Sequence, residues 1–193
     1  MQTADLLITP RWLLPIAPVN VALEGHAVAI AAGRILAVGP VAQLEARFDA
    51  RERISRGSHV LLPGFVNAHT RASMNLMRGL PVYPPVLRWL RETVWPAEKN
   101  VTQDFVREGT RLAIAEMLRA GITAFGDSYL YPEEAARAAA DARVRAVIGL
   151  PVAETASHWA PNSAAHLERA ALLWDDYKTD PWVSLYFAPP PPF

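Results

Sequence analysis

The apolar positions change rhythm near residue 59. Before it they fall in short stretches: Ala4–Pro10, the proline-broken Trp12–Pro18, His26–Ile30 and Ile35–Val38, all of which read as strands. The last two flank Ala31-Ala32-Gly33-Arg34, where Gly33 can supply the positive φ that a hairpin turn needs. Pro10, Pro15 and Pro18 confine their segments to sheet edges or turns. Val41–Phe48 is expected as a short helix, with Leu44 and Phe48 four apart on one face. Residues 1–58 thus form a small β-unit, too short to close a sandwich alone.

From residue 59 to 193 strands alternate with helices. His59–Val66 is an apolar run suited to a fully buried strand. Two helix candidates follow, Ala72–Gly79 and Leu87–Trp95. Thr102–Ala120 then carries Phe105, Val106, Leu112, Ile114, Ala115 and Leu118 at helical spacing, with Thr102 as N-cap and Gly121 as stop. Ile122–Phe125 is the second strand. Helix Pro132–Asp141 opens with proline in its first turn and Glu133 and Glu134 just inside, as the helix dipole favours. Val144–Leu150 is the third strand, Ser163–Tyr177 a helix with Leu167, Ala170, Ala171 and Trp174 on one stripe, and Trp182–Phe187 the fourth strand. Strand–helix alternation with short links means a parallel sheet.

Composition narrows the function classes. Nineteen basic and nineteen acidic side chains leave no net charge, so nothing draws the chain to nucleic acid or an acidic membrane. There is no cysteine, which excludes disulfides, thiolate zinc clusters and a cysteine nucleophile, and fits a reducing cytosol. The opening MQTADLLITPRW has no basic leader, and no run reaches the ~20 apolar residues of a membrane span, so a cytoplasmic protein is expected. The glycines are scattered, and no GxGxxG phosphate loop is present.

The sharpest local feature is Leu62-Pro63-Gly64-Phe65-Val66-Asn67-Ala68-His69-Thr70-Arg71, a strand that presents a histidine at its C-terminal end. Sites in parallel α/β folds are built at that end, and a neutral imidazole there can bind a metal. By spacing alone, a histidine hydrogen-bonded to its own loop is the favoured reading, since one histidine is not a constellation. Asp127, ending the second strand, is on the same side and reads as a strand-end cap that could orient loop groups. His158 is expected in a loop above the third strand. His26, His59 and His166 lack partners at ligand spacing, and most of the six tryptophans suit core or rim positions.

The segments LLPGFVNAHTRASMNLMRGL and VWPAEKNVTQDFVREGTRLAIAEMLRAGITAFGDSY resemble the amidohydrolase superfamily, in the branch of 5-methylthioadenosine/S-adenosylhomocysteine deaminases and triazine hydrolases. The opening ADLLIT and the AAGRILAVG hairpin are similar to part of the small β-sandwich that precedes the barrel in this family. The resemblance implies an α/β fold: the N-terminal half of a metal-dependent-hydrolase (β/α)8 TIM-like barrel, preceded by part of a β-sandwich. It implies a divalent metal, commonly zinc, that activates water to attack a carbon–nitrogen bond of an adenosine-like, nucleoside-type substrate. His69 would be one metal ligand, and Glu98 of Trp95-Pro96-Ala97-Glu98 would contact substrate; read alone, Glu98 is a solvated helix-end carboxylate.

Two departures stand against that pattern. The second histidine of the family's His-x-His pair is Arg71 here, whose guanidinium has no lone pair and carries a permanent charge. Where the family's fourth strand leads into a substrate-contacting histidine, this chain has Pro190 within Pro189–Pro192 and then Phe193, as a truncation or a shifted reading frame would leave. Three readings follow: a shortened deaminase-family hydrolase without catalytic residues of its own, a working enzyme whose sequence is incomplete past about residue 188, or a non-catalytic ligand-binding or interaction protein. Open half-barrel edges would also favour homo-oligomers.

Overall fold

The computed structural model describes residues 1–82, 85–154 and 156–189. The chain forms two compact units, Met1–Pro63 and Gly64–Phe193. The boundary falls after Pro63 because a strand absent from the sequence expectation, β5, runs from Phe48 to Leu61.

In the first unit β1 (Gln2–Leu13) is central. It pairs in parallel with β5 along its length, and on its other edge with β3 (His26–Ala31) and then β2 (Leu23–Glu24), both antiparallel. β4 (Arg34–Pro40) closes the hairpin with β3. Ala32 and Gly33 both take positive φ, 49° and 71°. The less tolerant Ala32 is held there by its N–H, which donates to Asp5 Oδ2 at 2.7 Å. α1 (Val41–Arg47) stops one residue before the expected Phe48, which opens β5; Leu44 and Phe48 still meet in one core with Ala4, Leu7, Ala27 and Ala29.

Two expectations for this unit fail for identifiable reasons. Pro10 is buried in the central strand, not on an edge. It lies between the β3 pairing at Leu6–Ile8 and the β2 pairing at Trp12–Leu13, beside a register shift against β5, where no neighbour needs its missing N–H. β5 escaped notice because its middle, Asp-Ala-Arg-Glu-Arg-Ile-Ser-Arg, is mostly charged and exposed. Such a sequence suits an edge strand that charge protects from further pairing.

The second unit holds four parallel strands in chain order: β6 (Phe65–Thr70), β7 (Ile122–Asp127), β8 (Arg145–Pro151) and β9 (Val183–Ala188). The connections are a 3-10 turn (Ala72–Met77), a helical stretch of α2 (Val86–Trp89), a π segment (Leu90–Val94) and α3 (Trp95–Glu98), then α4 (Gln103–Arg119), α5 (Pro132–Ala142) and α6 (Ser163–Tyr177). Thr102 caps α4 as expected, accepting from the Phe105 N–H at 3.2 Å, and Gly121 follows it at φ 80°.

The apolar run His59–Val66 is not one buried strand. Pro63 cannot donate to a ladder, and Gly64 lies against Thr123 so closely that a Cβ would come within 2.2 Å of its Oγ1. β6 therefore begins at Phe65, and Phe65 and Val66 are 56% and 68% exposed. Helices cover the sheet's other face, where Phe125, Ala146, Ile148 and Val183 pack against Ala113, Ile114 and Met117 of α4 and the alanines of α5. On the opposite face Val147 and Tyr186 are exposed, and among the described residues the outer edges of β6 and β9 have no partner strand.

The buried helix stripes are phased differently from the expectation. α4 buries Val106, Gly109, Thr110, Ala113, Ile114 and Met117, while Leu112 and Leu118 face out. α6 buries His166, Ala170 and Leu173, while Leu167 and Trp174 are half-exposed. Each helix carries two apolar stripes, and the choice falls to whichever permits close approach or a hydrogen bond. α5 is clamped to α4 by Glu134, 4% exposed, between Arg107 at 3.6 Å and Arg137 at 3.3 Å.

Gly109 marks the closest approach. A Cβ there would sit 2.7 Å from the Ser73 carbonyl oxygen and 2.8 Å from its Cα, both backbone atoms. A helix interior ordinarily gains about 1 kcal/mol from Gly→Ala. Overpacking against a backbone that cannot retreat costs about 1–3 kcal/mol, and contacts this short belong at the upper end. Gly109→Ala is therefore expected to lower the urea midpoint of unfolding; an increase would show that the 3-10 turn yields.

Candidate functional site

The C-terminal ends of β6 and β7 bring together most of the residues singled out by sequence. The register between these strands is irregular from Asn67 to Thr70, and Thr70 then stands opposite Asp127. The Ser128 N–H donates to the Thr70 carbonyl at 3.2 Å, tying the two strand exits together. His69, one residue before this junction, is exposed. Arg71 follows it as the residue preceding the 3-10 turn, with φ −119° and ψ 76°.

Asp127 is 3% exposed, and its Oδ1 accepts the Ala72 N–H at 2.6 Å. The carboxylate does not cap its own strand end; it caps the turn that leaves β6, and so fixes how the chain departs after His69 and Arg71. Burial pushes its pKa up to about 6, against the Ala72 hydrogen bond and the Arg71 charge, which pull the other way.

Tyr129 lies two residues beyond Asp127, with the Arg71 guanidinium 6.0 Å from its ring centroid. Its hydroxyl is buried without a hydrogen bond of ordinary geometry. Burial first, and then the neighbouring Glu98, raise its pKa above the phenol's usual value, with Arg71 opposing. Glu98, the last residue of α3, is half-buried and reaches this corner through Tyr129. Sequence reasoning missed Tyr129; its place just past a strand end was the available signal. Arg78, which leaves the 3-10 turn, grips Glu116 of α4 with two nitrogens, the shorter contact 2.8 Å.

A divalent metal does not fit what is assembled here. Among the described residues no three His, Asp or Glu side chains are placed to hold one ion. Zinc in catalytic sites takes three protein ligands, and Arg71, two residues after His69, carries a permanent positive charge and no lone pair to offer a metal.

The other histidines are occupied elsewhere. His158 is exposed in the loop between β8 and α6. His166 is fully buried: its Nδ1 lies 2.8 Å from the Asn162 carbonyl, which assigns the proton to Nδ1 and leaves Nε2 to accept from the Ser157 hydroxyl at 2.9 Å. Ser157 Oγ also accepts the Trp159 N–H at 3.0 Å, and the Trp159 indole N–H donates to Glu133 at 2.8 Å. Arg169 stacks on Trp159, donates to its carbonyl and pairs with Glu133 at 3.1 Å. This network shapes a loop rather than a reacting centre. His26 and His59 contact their neighbours Glu24 and Ser58. Pro190 lies outside the described residues.

The environment of Asp127 makes a pH-dependent prediction. A carboxyl whose folded pKa is raised stabilises the fold most below its unfolded pKa near 4, and this advantage is lost as pH climbs toward 6. The loss approaches about 3 kcal/mol by neutrality. Asp127→Asn cannot ionise, yet its side-chain oxygen can still accept from Ala72. Between pH 4 and pH 7.5 the variant's stability relative to the parent, measured by chemical denaturation, is expected to improve by about that amount. A gap that does not move with pH would contradict it.

Comparison with known proteins gives this corner its context. Residues 60–192 match the amidohydrolase family model. The chain is 37% identical to a 5-methylthioadenosine/S-adenosylhomocysteine deaminase of Saccharophagus degradans, over 98% of this chain and 43% of that protein. It superposes with a TM-score of 0.94 on an adenosine deaminase from Xanthomonas campestris with bound zinc, at 39% identity, covering 97% of this chain and 43% of that one. A zinc-complexed atrazine chlorohydrolase from Arthrobacter aurescens shares the fold at 20% identity, with a TM-score of 0.78 and coverage of 95% and 46%. The chain thus spans less than half the length of these relatives, as the N-terminal half of such a barrel with part of its small β-domain. With the family match running through all four strands of its parallel sheet, the chain belongs to the amidohydrolase family.

Proposed function

We propose that this chain carries the substrate-facing corner of a carbon–nitrogen hydrolase, ancestrally a metal-dependent deaminase of methylthioadenosine- or S-adenosylhomocysteine-like nucleosides, and has no turnover by itself. One observation carries this reading: Glu98, Tyr129, Asp127 and Arg71 come together where parallel strands end, just past His69, in a chain 37% identical over 98% of its length to a deaminase of that name. In this reading the Glu98 carboxylate accepts hydrogen bonds from substrate hydroxyls, as a half-buried, charge-assisted acceptor can. His69 keeps one metal-ligand position of the ancestral site. Arg71 occupies the next, so zinc retention is weak or nil.

A second reading, a ligand-binding protein without catalysis, is favoured by the same Arg71, whose guanidinium has no lone pair for a metal. Under either reading the ligand is a small nucleoside-like molecule and the protein is cytoplasmic. The open edges of β6 and β9 and the exposed Val66 and Val147 take a second copy of the chain, giving a homo-oligomer.

The test uses purified, zinc-supplemented chain fractionated by size. Ammonia release from methylthioadenosine is expected at background, and Arg71→His alone is expected not to restore it. Calorimetric binding of methylthioadenosine is expected, weakened about tenfold in Glu98→Gln, which corresponds to the loss of one charge-assisted hydrogen bond. Turnover by the parent would overturn the inactive reading. Unchanged binding in Glu98→Gln would remove Glu98 from the ligand site.

A further inference from the structure

Arg71 is tethered from both sides. The residue before it, Thr70, stands opposite Asp127 and accepts the Ser128 N–H; the residue after it, Ala72, donates to Asp127. Its backbone is therefore pinned to the exit of β7, and its guanidinium lies 6.0 Å from the Tyr129 ring centroid. No carboxylate among the described residues comes within ion-pair distance of it, so its charge acts through space on its neighbours. Those neighbours are the buried Asp127 and, through Tyr129, the Glu98 carboxylate.

We infer that Arg71 is a built-in counter-ion: its guanidinium, held over the Tyr129 ring beside the buried Asp127, supplies at the ends of β6 and β7 the positive charge that a site of this family takes from a divalent metal, and it holds this corner together without one. The inference rests on the family reading of the site. Its chemistry is that of a cation which cannot dissociate, cannot be chelated and keeps its charge at any physiological pH. The planar guanidinium also stacks on an aromatic ring, as a hydrated metal ion does not. A dication arriving at His69 would meet this fixed charge two residues away, and among the described residues no three His, Asp or Glu side chains are placed to hold it.

Three variants separate the alternatives by thermal unfolding with excess zinc or with chelator. The parent's Tm is expected to be the same in both. Arg71→Gln, which removes the charge and keeps a polar side chain, is expected to melt about 2–4 °C lower, and Arg71→Lys to recover part of that loss. Arg71→His is expected to melt higher with zinc than with chelator, because binding to the folded state alone raises Tm. The inference is overturned if zinc stabilises the parent as much as Arg71→His. It is overturned equally if Arg71→Gln melts with the parent, or if Arg71→Lys falls as far as Arg71→Gln, since the charge would then do nothing. None of these readings uses nucleoside or turnover, so they stand or fall apart from the proposed substrate.

Discussion

A buried hydrogen bond, from the Ala72 N–H to the Asp127 carboxylate at 2.6 Å, is the constraint on which the strand-end corner depends. β6 must turn out of the sheet after Thr70, and its departing backbone leaves a donor in a water-poor place. Asp127, arriving on the neighbouring strand, meets that donor with an oxygen. The bond fixes Arg71 and begins the 3-10 turn, whose Ser73 then packs against Gly109 of α4. Burial pushes the pKa of this carboxylate up to about 6, and the Ala72 hydrogen bond, followed by the Arg71 charge, pulls it the other way.

The same economy runs through the helical layer. Small residues bring α5 onto the sheet, with Ala135, Ala136, Ala138 and Ala139 fully buried, and the buried Glu134 carboxylate of this helix is answered by two arginines. On the other face nothing comparable is present among the described residues. Val147 and Tyr186 are exposed there, and Tyr186 lies so close to Gly149 that a Cβ would meet its ring at 2.9 Å. A parallel sheet is ordinarily covered on both faces.

Much of the fold was legible in the chain. Strand–helix alternation after residue 59 gave the parallel order, and Thr102, Gly121 and Pro132 marked helix ends through their own chemistry. The misses share a cause: tertiary partners decided what local pattern left open. β5 reads as a charged loop until β1 supplies a parallel partner, and Pro10 reads as an edge residue until the gap between β3 and β2 is seen. α6 has two apolar stripes, and His166, bonded to Ser157 and Asn162, selects one. At the candidate site the strand end with His69, Arg71 and Asp127 could be read from spacing and resemblance. For Tyr129 the chain offered only its place just past a strand end, because its role comes from Glu98 and Arg71, one some thirty residues away in the chain and both brought near only by the fold.

The central claim is that this family site has exchanged a bound metal for a fixed guanidinium. Anomalous scattering at the zinc edge, from crystals of the chain grown with excess zinc, tests it most directly. The account predicts no zinc peak beside His69 and density for the Arg71 guanidinium over the Tyr129 ring. A zinc peak on His69 with Arg71 swung away would contradict it.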